Sequence, residues 1–464
     1  MGGREIEADY LVVGAGAAGM AFADALVAAS DADVVMVDRR HAPGGHWHDA
    51  YPFVRLHQPS QLYGVNSLQL GSETLDGHGT NAGLYELASG SEVCAYYERV
   101  LSDRLLASGR VRYFPMCEYV GRRRFVSRVS GDLAQVKVRR RVVDATYLEP
   151  SVPATTPPPF DVGEGVRCVP VGELPRQVEH ADGYVVVGSG KTAIDACLWL
   201  LELDVAPEAI CWIKPSELWL LNRAYLQAGE LAAALLDGFS LQVEAIAQAE
   251  SLDDLFTRLE AAEQMLRVDE GVTPTAYRGA TVTAAEVETL RRIEDVVRLG
   301  HVRRIERDRI VLEDGEVPTS ARRLHVHCAA RGLNPAPAVP VFTEDTITPQ
   351  WLLPGFLPFN AALTAFVEAT RDDTIEKNRL CRPRAIVDRP EDWLHGMIHA
   401  NKAAQAWSQE DDVEEWLLSS RLSWRHWVAR RADDPRVAEA ALRFAENIRP
   451  AFANYKRLLA PATV

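Results

Sequence analysis

The sequence predicts an α/β chain built on two strand–glycine turn–helix units with helical additions, and three observations carry that prediction. Apolar residues 10–13 enter Gly14-Ala15-Gly16-Ala17-Ala18-Gly19. An alanine-rich run at helical spacing follows, then a second apolar run, 33–38, that ends in Asp38. Residues 184–187 enter Gly188-Ser189-Gly190-Lys191-Thr192-Ala193 and lead into an apolar helix and the strand 209–213. Proline-rich 153–160 and 335–340 bracket the second unit, where neither helix nor central strand can continue.

Each turn is the dinucleotide-binding fingerprint in its full context of strand, glycine turn, helix and strand. Gly14 permits the tight turn, Gly16 the approach of backbone N–H groups to a pyrophosphate, and Gly19 close helix–strand packing. The first helix turn, with Ala17 and Ala18, offers unpaired amides and a partial positive charge to the anion. Asp38 stands where a carboxylate accepts from a ribose diol. In the second turn Ala193 replaces the third glycine. Gly190-Lys191-Thr192 mimics the end of a phosphate-loop motif, but Val185 stands where that motif requires glycine, so the reading fails. Lys214 takes the place of the acid at the end of the second strand, with Arg223 nearby. Cations there suit a 2′-phosphate, which points to NADPH; NADH with a solvated lysine is the plainer alternative.

The 464 residues suffice for two or three domains. The net charge of −15 argues against nucleic acid and anionic membranes as partners. The first apolar run already belongs to the nucleotide unit, so no secretory signal is read, and no run is long enough to span a bilayer. Seven cysteines, at 94, 117, 168, 197, 211, 328 and 381, form no Cys-x-x-Cys pair. That usage fits a reducing cytoplasm and no redox disulfide. No metal site is expected, because Gly396 occupies the zincin glutamate position between His395 and His399.

Beyond Asp38 and Arg39 lies Gly44-Gly45-His46-Trp47, then Tyr51-Pro52-Phe53-Val54-Arg55-Leu56-His57-Gln58. Gly44-Gly45 allows close backbone approach, and the density of aromatic and basic groups suits a loop lining a flat, polar-edged ring; a surface aromatic cluster is the alternative. Glycine fingerprint, acid-ended strand, Gly-Gly-x-Trp and Tyr-Pro-x-x-Arg together resemble the opening of the class B flavoprotein monooxygenases, which include the flavin-containing, Baeyer–Villiger and N-hydroxylating enzymes. The resemblance implies that the first turn holds FAD, with Gly14, Gly16, Gly19, Asp38, Gly45, Trp47 and Arg55 in its site. It adds Arg39, His46, His57 and Gln58 as neighbours of the cofactor. His57 stands where the Baeyer–Villiger branch has aspartate. Asn66 would be the amide beside the oxygen-reactive edge of the flavin, or else a turn residue. The family's hallmark between the turns is degenerate, with Arg176 in the histidine position.

The resemblance also implies nested domains: residues 1–160 and 325–464 for FAD and 161–324 for NADPH. Residues 216–299 read as a helical insertion, either scaffold, dimer surface or lid. Thr348 and Gln350 precede the helix that would present amides to the flavin. The aromatic-rich remainder, 393–464, reads as a packed helical layer. The implied activity is NADPH-dependent monooxygenation of a small molecule with O₂, with N-hydroxylation of an amine or amino acid preferred and a homodimer among its expected states. Arg55, His57 and Asn66 are its catalytic candidates. A flavin oxidase or dehydrogenase, and a non-enzymatic flavin or NADPH sensor, are the alternatives.

Overall fold

The computed structural model describes residues 4–177, 181–332, 335–353, 355–385 and 388–459. The first unit folds as the sequence dictates. Strand β1 (Arg4–Val13) runs into the glycine turn and helix α1 (Ala17–Ala29), and β2 (Val34–Val37) returns parallel to β1. Helix α2 (Gly90–Val100) starts from a Ser89–Glu92 capping box, with Val93, Tyr96, Tyr97 and Val100 buried at helical spacing. Strands β3 (Val111–Phe114), β4 (Cys117–Tyr119), β5 (Arg124–Ser127) and β6 (Leu133–Asp144) complete a sheet in the order β3-β2-β1-β6-β5-β4.

Residues 134–138 and 142–147 read as two strands, yet β6 is one. Its start pairs antiparallel with β5, and most of its length lies parallel to β1, with an irregularity between Ala8 and Tyr10. Thr346–Ile347 adds a parallel strand beside Val142 and Val143. Helix α1 and the Leu357–Thr370 helix pack together against one face of the sheet, and the β4–β5 hairpin covers the other. Beneath the helices, buried Glu368 accepts from Tyr10 Oη at 2.8 Å and pairs with Arg141 and Lys377 at 2.7 and 2.6 Å.

The second unit is a five-stranded, wholly parallel sheet in the order Val296–Val297, Ile210–Ile213, Tyr184–Val187, Leu324–His327, Cys168–Pro170. Helix α3 (Lys191–Glu202) connects its central strands. A short mixed sheet flanks it, in which Val302–Ile305 and Arg309–Leu312 pair antiparallel around Asp308 and Asp161–Val162 adds a parallel edge.

The stretch 216–299 departs from its all-helical reading. It holds the helices Ala232–Gln248, Leu252–Ala261 and Ala284–Leu290, but also a three-stranded sheet of Leu218–Asn222, Met265–Leu266 and Ala276–Val282. Its last strand, Val296–Val297, belongs to the second parallel sheet. Apolar runs such as 218–221 carry no period that separates strand from helix. The C-terminal layer is helical throughout its named elements. Its aromatics pack as expected, Trp393 on Phe256 and Trp416 on Phe366, with ring centroids 5.9 and 5.3 Å apart. No described helix is long and apolar enough to cross a membrane.

Candidate functional site

The two glycine turns are built alike. Gly14 and Gly188 adopt φ of +97° and +139°, a region open to glycine. The N-caps Gly16 and Gly190 share an extended backbone, φ −79°, ψ −171° and φ −78°, ψ −179°. Neither brings a side chain to cap its helix, so the first-turn amides of α1 (Ala17, Ala18) and of α3 (Lys191, Thr192) have no side-chain cap. That is the donor set of an anion site at a helix N-terminus. Gly19 is held to glycine by contact, since a Cβ there would lie 1.9 Å from the Gly14 carbonyl oxygen. Gly45 sits directly on the first turn, where its Cβ would come within 2.9 Å of Gly16 Cα, and Gly44 N donates to Ala15 O at 2.9 Å.

Asp38 is buried at the end of β2. It accepts from Ala15 N at 2.6 Å through Oδ2 and from Arg40 N at 2.7 Å through Oδ1, bracing the turn it was expected to serve. A cleft of about 150 Å³ opens beside it, lined by Gly14, Asp38, Arg39, Arg40, Cys117 and Glu149. Arg39 is exposed and pairs with Glu149. This cleft lies outside the carboxyl ends of parallel strands, where the fold places ligands. Its volume suits the ribose end of a dinucleotide and falls short of the whole molecule.

The Gly-Gly-x-Trp loop runs inward from there. Trp47 Nε1 donates to Tyr63 Oη at 2.8 Å, and the two rings meet edge to face. His46 stacks on Trp47, and burial with the Arg40 charge lowers its pKa from the ordinary 6.5 to about 4. The folded protein therefore holds His46 neutral while the unfolded chain takes up a proton below pH 6.5. This contribution to stability is present above 6.5 and is lost as pH falls toward 4. His46→Asn should flatten the fall in melting temperature between pH 6.5 and 4, read by thermal melts across that window.

The remaining candidates divide. His57 is half-buried near Lys191 and Arg223, and desolvation followed by those two cations drives its pKa well below the usual range. It is a neutral group at the junction of the two units. Gln58 is half-buried beside it in sequence. Arg55 points outward, exposed, with Nη1 donating to Leu87 O at 3.1 Å. Asn66 accepts from Ser420 Oγ at 2.8 Å, next to the Asp24–Ser67 contacts two turns along α1. This contact ties the amide oxygen of Asn66 to the C-terminal layer. Thr348 is buried, and Gln350 clamps Val339 through both amide atoms, at 3.1 and 2.8 Å. Gln350 braces the strand-to-helix connection.

The cations expected to read a 2′-phosphate are engaged elsewhere. Lys214 is buried against Glu217, whose second oxygen takes Arg298 Nε at 2.7 Å, and its Nζ lies 4.4 Å from the Trp212 ring centroid. Arg223 is wholly buried in a bidentate pair with Glu286. A charge run in sequence does not reveal its own neutralising partner, which is why Glu217 and Glu286 escaped notice. Replacing Lys214 by methionine removes one of the two cations that neutralise Glu217 and should lower the preference for NADPH over NADH, measured as the ratio of kcat/KM values. Ser189 is buried and meets Ser216 Oγ at 3.3 Å. Arg176, at the degenerate hallmark, is exposed and pairs with Glu173 at 2.6 Å.

Three residues outside the expected site set stand out here, Tyr51, Asp195 and Gln61. Tyr51 Oη donates to Asp195 Oδ2 at 2.6 Å, and Asp195 also pairs with Lys191. Gln61 is fully buried with both amide atoms unpartnered among the described residues. It sits one residue before Leu62, which packs with Phe356 at the start of the Leu357–Thr370 helix. An orphaned amide in the stretch after Trp47 is what a polar-edged ring would satisfy.

Two glycine turns, each on a run of parallel strands, and a shared loop give the layout of a two-dinucleotide-domain protein. Residues 12–82 match the model of an NAD(P)-binding Rossmann-like domain. The chain is 49% identical over 421 residues to the uncharacterized protein Rv2000 of Mycobacterium tuberculosis, covering 90% of this chain and 78% of that one. The uncharacterized protein Mb2023 of Mycobacterium bovis matches to the same extent. The chain belongs to the family of these mycobacterial proteins. Among solved structures, the open form of cyclohexanone monooxygenase aligns over 96% of this chain and 99% of its own, with a TM-score of 0.50 and 14% identity. The chain shares its fold with that enzyme.

Proposed function

We propose that the protein is an FAD-containing, NADPH-dependent monooxygenase that transfers one oxygen atom from O₂ to a small nucleophilic molecule. The single observation that carries this reading is the pairing of two near-identical uncapped glycine turns through one loop. Residues 45–57 begin against Gly16 and end on α3. One dinucleotide is then positioned to reduce the other.

FAD is assigned to the first turn. Gly14, Gly16, Gly19 and the first-turn amides would hold its pyrophosphate, the cleft beside Asp38 its ribose, and Trp47 with Gln61 would border its ring system. NADPH is assigned to the second turn through Gly188, Ser189, Gly190, Lys191 and Thr192. No free carboxylate stands at the end of Ile210–Ile213 to repel a 2′-phosphate, because Glu217 is held by Lys214 and Arg298. The bound flavin supplies hydride acceptance and oxygen activation. The chain's own contribution is to orient the nucleotides, shield the site from water with the half-buried Trp47 bonded to Tyr63, and place a neutral His57 at the junction. N-hydroxylation of an amine or amino acid is the preferred chemistry, on the ground that His57 replaces the Baeyer–Villiger aspartate.

One observation favours a second reading, a flavin oxidase or dehydrogenase. Asn66 Oδ1 accepts from Ser420 Oγ, a contact that draws this side chain toward the C-terminal layer and not toward oxygen chemistry. Rapid mixing of the NADPH-reduced protein with air separates the two. A transient absorbing species between the reduced and oxidised flavin spectra is expected. Direct return to the oxidised spectrum with stoichiometric H₂O₂ would establish the oxidase instead.

A further inference from the structure

The loop that leaves the first glycine turn is docked on the helix of the second by named contacts. Phe53 stacks on Trp199 of α3, with ring centroids 4.8 Å apart and planes 15° from parallel. Tyr51 Oη donates to Asp195 Oδ2 at 2.6 Å from a nearly buried position. The other oxygen of Asp195 pairs with Lys191, one helical turn back and the first residue of α3. Asp195 therefore has one oxygen in each unit's affairs.

Lys191 occupies a position with two competing demands. It stands at an uncapped helix N-terminus that favours anions. The space over the turn is open, since a Cβ on Gly190 would meet nothing within 4 Å. A pyrophosphate seated there would lie within reach of the lysine, and charge-assisted bonds to phosphate oxygens would compete with the single carboxylate. If Lys191 turned to the phosphate, Asp195 would keep Tyr51 as its remaining side-chain donor, and the charge felt by the Tyr51 hydroxyl would rise.

Resting on the assignment of a nicotinamide dinucleotide to the second turn, we infer that Asp195 is a positioning residue that couples the two sites. It holds Lys191 in reserve against the nucleotide pyrophosphate and transmits nucleotide binding through Tyr51 to the loop 45–57 on the first turn. Binding at the second turn and loop position at the first are then one equilibrium, and by linkage each biases the other.

Calorimetric titration of the purified full-length protein with NADP⁺ tests this without turnover, and tryptophan emission, to which Trp47 and Trp199 contribute, reports the loop. Asp195→Asn, which releases Lys191, should bind NADP⁺ about fivefold more tightly than the parent, in the range of ordinary coupling. Lys191→Met should bind about tenfold more weakly. Tyr51→Phe should keep binding within about threefold but lose the NADP⁺-induced change in emission. Should Asp195→Asn fail to fold, judged by circular dichroism, Tyr51→Phe decides alone. A folded Asp195→Asn that binds NADP⁺ no more tightly than the parent, or a Tyr51→Phe that keeps the full emission change, overturns the coupling while leaving the dinucleotide assignment standing. Parent protein that binds neither NADP⁺ nor NAD⁺ overturns both.

Discussion

Replacing Arg223 by methionine should destabilise the protein by about 3–5 kcal/mol, the cost of leaving one partner of a buried ion pair behind. Arg223 is fully buried and its guanidinium reaches four segments. It donates to His57 O at 2.9 Å, to Asn81 Oδ1 at 3.1 Å, to Thr281 O at 3.3 Å and to both oxygens of Glu286, at 3.2 and 3.0 Å. Methionine fills comparable volume but leaves the Glu286 carboxylate with only its Thr283 capping contacts. Lysine should not rescue, because a single ammonium cannot reproduce the fork. Adding Glu286→Gln to Arg223→Met should cost less than the sum of the two single changes, as coupled partners do. Urea unfolding followed by circular dichroism measures all four variants, the Arg223→Met, Arg223→Lys and Glu286→Gln single changes and the Met/Gln double. A loss below about 1 kcal/mol for Arg223→Met would mean the network is dispensable. Because Arg223 also fixes the backbone at His57, the same variant should raise KM for the nicotinamide nucleotide.

Gly19→Ala should abolish cofactor retention. The added methyl would sit 1.9 Å from Gly14 O and 3.3 Å from the Ala145 side chain, so the turn itself must shift. Forcing atoms into a packed site costs about 1–3 kcal/mol and often more when the obstruction is backbone. Here that shift would open the spacing of first-turn amides on which a pyrophosphate depends. The expected result is protein purified without flavin, with FAD affinity reduced about a hundredfold or more by equilibrium dialysis. Gly190→Ala is the contrast, since its Cβ meets nothing within 4 Å, and it should fold normally.

Much of the fold was legible because local chemistry decided it. The two turns demand glycine at Gly14 and Gly188, and each is flanked by apolar strands. What stayed hidden depended on partners far away in sequence. Lys214 and Arg223 read as free cations because Glu217 and Glu286 could not be paired to them without the fold. The contact of Asn66 with Ser420 was hidden in the same way, because Ser420 lies in the C-terminal layer. The strand Leu218–Asn222 hid among helices because a short buried apolar run looks the same in either state. Tyr51, by contrast, stood in the very motif that marked the loop, and only its contact with Asp195 revealed which way it faces.

The central claim, that one dinucleotide on this chain reduces another, is tested most directly by anaerobic addition of NADPH to the purified, FAD-reconstituted protein while flavin absorbance is followed. Bleaching of the oxidised flavin band by stoichiometric NADPH is the predicted result. Protein that binds FAD yet keeps its full oxidised spectrum with either NADPH or NADH would contradict it.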